Sequence, residues 1–127
     1  MKRILTPVNE KFIDERGILN IIIQEGAEIT LENLREDHEM GLGLTGGKKM
    51  RALVDARANF TSTEEAREFM RSDIMNKTRI ATAVVTTNLA SRIIVNFCLR
   101  FHKPATPLKM FSDFDKAVKW LLSMKEH

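Results

Sequence analysis

The stretch "RIATAVVTT" (residues 79–87) constrains this chain more than any other. It is almost continuously apolar and rich in β-branched residues, the character of a central strand covered on both faces. Ahead of it, "MRALVDA" reads as a second, shorter buried strand. Between the two, "TSTEEAREFMRSDIM" sets Ala66, Phe69, Met70 and Ile74 at helical spacing. A strand, a helix and another strand in that order imply a right-handed crossover, so the two strands run parallel.

The remaining segments extend this pattern. "EKFIDERGILNIII" holds two strand-like runs around Arg16-Gly17, where glycine supplies the positive φ of a tight turn, and predicts an N-terminal β-hairpin. "EITLENLREDHEM" follows, with Thr30 as a helix cap and Leu31, Leu34 and His38 on one face. "GLGLTGGKK" is expected to break that helix. "NLASRIIVNFCLRFH" gives Ala90, Ile93, Ile94, Phe97 and Phe101 along one stripe, ended by Pro104 and Pro107 before the short strand "LKMF". In "SDFDKAVKWLLSMK", Ser112 and Asp115 occupy the positions of a capping box, and Ala117, Trp120, Leu121 and Met124 form the apolar face.

The expected order is therefore ββαβαβαβα, an α/β fold with a mixed, mostly parallel sheet flanked by helices. Its central strands are Ala52 to Val54 and Ile80 to Val85, with helices from Ser62 to Met75 and from Leu89 to Phe101 packed on them. A length of 127 residues, 43% of them hydrophobic, suits one domain with one ordinary core.

Composition narrows the function classes. A formal charge of +3 is spread along the chain, and eight aromatic residues with no tyrosine do not suit a stacking platform for bases, so no nucleic-acid partner is expected. The lone cysteine, Cys98, excludes an intramolecular disulfide and cysteine-pair zinc sites. His38, His102 and His127 lie far apart in unlike contexts, so neither a metal nor a cofactor is expected. The start "MKRILTPVNE" lacks a cleavable leader's features, and no apolar run is long enough to span a bilayer, so a cytoplasmic protein without stable membrane insertion is expected.

Familiar motifs dissolve on inspection. "GLGLTG" (Gly41 to Gly46) matches the letters of a dinucleotide fingerprint, but that fingerprint follows a strand and opens a helix, and here the order is reversed. "GGKK" lacks the hydroxyl that a P-loop sets on magnesium. Cys98 and His102 share a helical face, yet the cysteine lies in an apolar stripe and reads as a core thiol. Paired acids such as Glu64-Glu65 fall in first helical turns, where the helix dipole accounts for them.

The strand-to-helix turns are more informative. Parallel strands emerge at one carboxyl edge, where open α/β folds bind ligands. One turn brings Asp55, Arg57 and the cluster Thr61-Ser62-Thr63; the other brings Thr86, Thr87 and Asn88, with Arg92 one turn into its helix. Free N–H groups at helix starts suit an anion or a phosphorylated side chain. Ordinary capping, with Thr61-x-x-Glu64 as a capping box and Thr87 or Asn88 as a second cap, accounts for the same residues.

The strand ending "LVDAR", the hydroxyl-led helix "TSTEEAR", the strand and helix "ATAVVTTNLASRIIVNF" and the ending "PATPLKMFSDFDKAVKWL" together resemble the SpoIIAA-like group of STAS domains, also described as STAS/SEC14-like. The similarity runs from about Glu10 to Leu122. It implies a non-enzymatic regulatory module of the anti-anti-sigma type, in which Asp55 matches the strand-terminal acid and Thr61, Ser62 or Thr63 takes the phosphorylated position. The sequence departs from that pattern in having no glycine after the hydroxyls and an acid, Glu64, directly behind them. The partner would be another protein, with a homodimer also open. The SEC14-like side of the resemblance implies instead a carrier of a small apolar molecule or lipid, held between sheet and helices.

Overall fold

The computed structural model of the chain describes residues 2–70, 72–87, 89, 90, 92, 93, 96 and 106–125. Asn88, Cys98, His102, Pro104, His127 and the stripe residues Ile94, Phe97 and Phe101 lie outside them. In chain order the strands and helices are β1 (Arg3–Leu5), β2 (Asn9–Ile13), β3 (Leu19–Ile23), β4 (Ala27–Ile29), α1 (Leu31–Thr45), β5 (Met50–Asp55), β6 (Phe60–Ser62), α2 (Glu64–Met70), α3 (Asp73–Asn76), β7 (Arg79–Val85), β8 (Leu108–Phe111) and α4 (Phe114–Ser123). Between β7 and β8, residues 89, 90, 92, 93 and 96 are helical.

Local chemistry accounts for most boundaries. The expected hairpin joins β2 to β3: Gly17 takes φ 77°, and the Asp14 carboxylate accepts the backbone N–H groups of Arg16 at 2.8 Å and Ile18 at 3.1 Å. Thr30 caps α1, its Oγ1 accepting the Asn33 N–H at 3.1 Å. The α4 cap falls on Asp113 rather than Ser112, because β8 ends at Phe111 and Asp113 holds the extended conformation from which its carboxylate reaches the Asp115 N–H at 2.8 Å. Arg51 ties the end of α4 to the sheet by donating to the carbonyls of Leu121 and Met124, where a cation complements the helix dipole.

The main sheet has the order β1-β2-β3-β5-β7-β8. Its β1-β2 and β2-β3 pairs are antiparallel, and β3-β5, β5-β7 and β7-β8 are parallel, so the two central strands are the parallel neighbours the sequence implies. Alternation sends Leu53, Ala81, Ala83 and Val85 to one face, where they pack on Ala117 and Leu121 of α4. Trp120 joins that layer only partly buried, its ring 5.6 Å from that of Phe111. Leu19, Ile21, Ala52 and Val54 point to the opposite face.

Three features depart from the expected pattern. A short parallel pair, β4 with β6, forms a second sheet, so Thr61 and Ser62 are strand residues and the next helix starts two positions later than expected. That helix also divides into α2 and α3. Third, α1 continues through "GLGLT" and stops only where Gly46, at φ 68°, donates its N–H to the Leu42 carbonyl. Two mid-helix glycines weaken a helix by about 1 kcal/mol each, which packing of α1 against the sheet and α2 outweighs. A Cβ at Gly43 would meet nothing within 4 Å. Gly43→Ala is therefore expected to raise unfolding stability by about 0.5–1 kcal/mol in urea titration; a loss would show that residues 41–45 are not helical.

Candidate functional site

On the face of the sheet opposite α4, the side chains of the described residues do not close into a solid core. A cavity of about 190 Å³ lies between the sheet, α1 and the α2–α3 segment. Its walls are mainly apolar: Ile21 and Ile23 from β3, Val54 from β5, Val84 from β7, Leu34 from α1 and the flexible Met70 and Met75. Two methionines suit a wall that adapts to its contents. For scale, an apolar cavity of about 150 Å³ admits a benzene molecule.

One end of this cavity is charged. Lys11 projects from β2 and Asp37 from α1, and both are almost completely buried, with Nζ 2.8 Å from Oδ2. The other carboxylate oxygen accepts from the Thr6 hydroxyl at 3.1 Å. Arg79 of β7 lines the same cavity, and with Lys11, Asp37, His38 and Met75 also lines an adjoining hollow of about 20 Å³, the size of one water. Among the described residues, the hydrogen bonds of Arg79 go only to its neighbour Thr78, at 3.2 Å to Oγ1 and 3.5 Å to the carbonyl.

A fault in strand register directs Arg79 here. Strict alternation with Ala81, Ala83 and Val85 would send its side chain to the α4 face. Pairing between β5 and β7 shifts at Met50/Arg51, so Met50 lies opposite Arg79 whereas Arg51 lies opposite Ala81. The additional residue in β7 moves Arg79 to the face of Met50, which is the cavity face.

The electrostatics follow from burial. Lys11 is held below the usual lysine range by desolvation, against the opposing pull of Asp37, and Arg79 adds to the depression. Desolvation likewise lowers Arg79, with Asp37 opposing. His38 is lowered by burial and then by Arg79, so it stands neutral at pH 7. Asp37 is the single carboxylate among the described residues lining either space. Among the described lining residues, two cations face one anion, which leaves one unit of positive charge in excess.

The residues singled out in the sequence sit elsewhere. Asp55 and Arg57 pair with each other at 2.9 Å, and the Arg57 guanidinium lies 4.7 Å over the Phe114 ring. Thr63 caps α2, its Oγ1 accepting the Ala66 N–H at 3.2 Å. Ser62 accepts from Arg67, at 2.7 Å on its carbonyl and 3.1 Å on Oγ. Thr61 is exposed. These three share a surface hollow with Glu28, Ile29 and Thr30, not with Thr86 or Thr87. Thr86 is buried and its N–H donates to the Phe111 carbonyl, Thr87 and Arg92 are exposed, and Asn88 lies outside the described residues. Among the described residues no group of three or more His, Cys, Asp or Glu is gathered to hold a metal, and no helix is long and apolar enough to cross a membrane.

A family model, Domain of unknown function (DUF7793), matches residues 12–125. The chain belongs to the DUF7793 family. Its fold is similar to that of an uncharacterised protein of the DUF3478 family with a SpoIIAA-like fold from Shewanella loihica PV-4, at 17% identity and a TM-score of 0.63 over 95% of this chain and 98% of that one. A protein of unknown function from Arthrobacter sp. FB24 aligns at 21% identity over 87% of this chain and 90% of that one, with a TM-score of 0.34. No curated protein matches in sequence. The SpoIIAA-like architecture implied by the sequence is thus the fold of this DUF7793 chain.

Sequence reasoning missed Lys11, Asp37 and Arg79. A signal for Lys11 existed: in the hairpin register it stands opposite the apolar Ile21 of β3. In this DUF7793 domain the buried pair also fixes β2 to α1. Asp37→Ala leaves Lys11 buried without its ion-pair partner and is expected to cost about 3–5 kcal/mol, whereas the double variant Lys11→Met/Asp37→Leu loses much less. Urea unfolding measures both; a cost below about 1 kcal/mol for Asp37→Ala would mark the pair as solvated.

Proposed function

We propose that this chain is a non-catalytic binding protein that takes up a small, mainly apolar molecule between its sheet and helices. The observation that carries this reading is the 190 Å³ cavity itself, apolar over most of its wall and placed where the opposite face of the same sheet is solidly packed. Ligand sites commonly combine apolar walls with a few convergent polar groups, and Lys11, Asp37 and Arg79 supply those groups here. Lys11 and Asp37 are locked to each other rather than set apart as an acid and a base, which favours binding over proton transfer.

A second reading retains a regulated interaction module of the SpoIIAA type. It draws on Ser62, whose hydroxyl already receives a hydrogen bond from Arg67, so that a phosphate there would meet a cation one helical turn away. Glu64 and Glu65 lie next to that position and oppose the added charge. The cavity is the stronger ground, because a space of this size on a buried face has no role in packing.

Val84 is 6% exposed and forms part of the cavity wall. Val84→Phe fills the space. Titrating 1-hexanol into the wild-type protein is expected to shift the methyl NMR signals of Ile21, Ile23, Val54 and Val84, leaving Leu53 and Leu121 unmoved. In Val84→Phe the response is expected to disappear from the first three. Shifts scattered over the surface, or an unchanged response in the filled variant, would refute the cavity as the binding site.

A further inference from the structure

The charged end of the cavity narrows the class of molecule it takes, and this step rests on the cavity being the binding site. Both oxygens of Asp37 are committed, Oδ2 to Lys11 and Oδ1 to Thr6. The Arg79 side chain is half-buried, yet among the described residues it has no carboxylate within ion-pairing distance and donates only to Thr78, through Nη1. An arginine brought to this face by a break in strand register, most of whose donors meet no acceptor among the described residues, can take a ligand's acceptor.

We infer that the cavity selects a small apolar monocarboxylate, whose tail lies against Val54 and Val84 and whose carboxylate pairs with the Arg79 guanidinium. A planar carboxylate matches the paired donors of a guanidinium. One negative charge cancels the single excess positive charge of Lys11, Arg79 and Asp37. A phosphate carrying two charges would overshoot it and would need more donors than this end provides. A neutral alcohol leaves the excess uncompensated, and an amine adds to it. Burial is the main cause of the lowered Lys11 and His38, and Arg79 adds to the lowering of both. By comparison with benzene in a cavity of about 150 Å³, this space holds on the order of eight non-hydrogen atoms, the size of hexanoate.

Calorimetric titrations of the full chain at neutral pH with hexanoate, 1-hexanol and hexylamine test the inference, because the three differ chiefly in head-group charge. The wild-type protein is expected to bind hexanoate at least about ten-fold more tightly than 1-hexanol, as a charge-assisted, paired hydrogen bond provides, and hexylamine more weakly than either. In Arg79→Gln the ratio of hexanoate to hexanol affinity is expected to collapse toward one, and Arg79→Lys is expected to restore part of it. Equal binding of hexanoate and hexanol by the wild type overturns the inference while leaving the cavity as an apolar site. Preference for hexylamine overturns it likewise, and a hexanoate preference that survives Arg79→Gln removes Arg79 from the recognition. If none of the three binds, the cavity reading and this inference fail together. The wild-type comparison decides the charge class even if the glutamine variant does not fold.

Discussion

A lysine and an aspartate withdrawn from water within 2.8 Å of each other hold the first half of this molecule together. Lys11 comes from an antiparallel strand near the sheet edge and Asp37 from the helix that crosses above it, 26 residues later. Neither charge tolerates that position alone, since stripping a buried ion of its partner costs several kcal/mol. The pair therefore sets where α1 lies over the sheet. Thr6 extends the constraint into the turn between β1 and β2, where its hydroxyl donates to Asp37 and also receives the N–H groups of Val8 and Asn9. The link is polar and of fixed length, so it sets how α1 sits over β2.

The two faces of the sheet illustrate the consequence. Beneath α4 the strands present alanine and valine, and Leu121, Ala117 and the partly buried aromatic residues fill the remaining space as a close-packed interior does. On the other face Lys11 and Arg79 occupy positions that would otherwise carry apolar packing. Charged groups with solvation requirements do not interdigitate as leucines do, and a space persists beside them. The β5–β7 register shift adds to this, because it brings Arg79 to a face already carrying Lys11 and raises the positive charge there by one. Stability is forgone on this face, and such a concession is common where a protein keeps room for a ligand.

How much of this was readable beforehand depended on the length of the signal. The seven residues of β7 and the six of β5 declared themselves through continuous apolar, β-branched character. Gly17 and Thr30 did so through single-residue backbone chemistry that acts within a turn. The three-residue strands β4 and β6 carry too little alternation to be seen, so Thr61 and Ser62 read as a helix entrance although they pair with Glu28 and Ile29. Gly41 and Gly43 look like a helix break because local propensity disfavours them, and tertiary packing overrides it. The site itself was hidden for a related reason. Arg79 faces the cavity only because alternation fails at one position, and Asp37 gains its partner from a strand distant in sequence.

A crystal structure of the protein grown with hexanoate tests the central claim, that one face of the sheet holds an open apolar cavity ending in an uncompensated arginine. The account predicts a carboxylate within about 3 Å of the Arg79 guanidinium, its tail against Val54 and Val84, with the Lys11–Asp37 pair intact beside it. Finding Arg79 in an ion pair with a carboxylate of the protein itself, and the space beneath α1 closed by side chains, would contradict it.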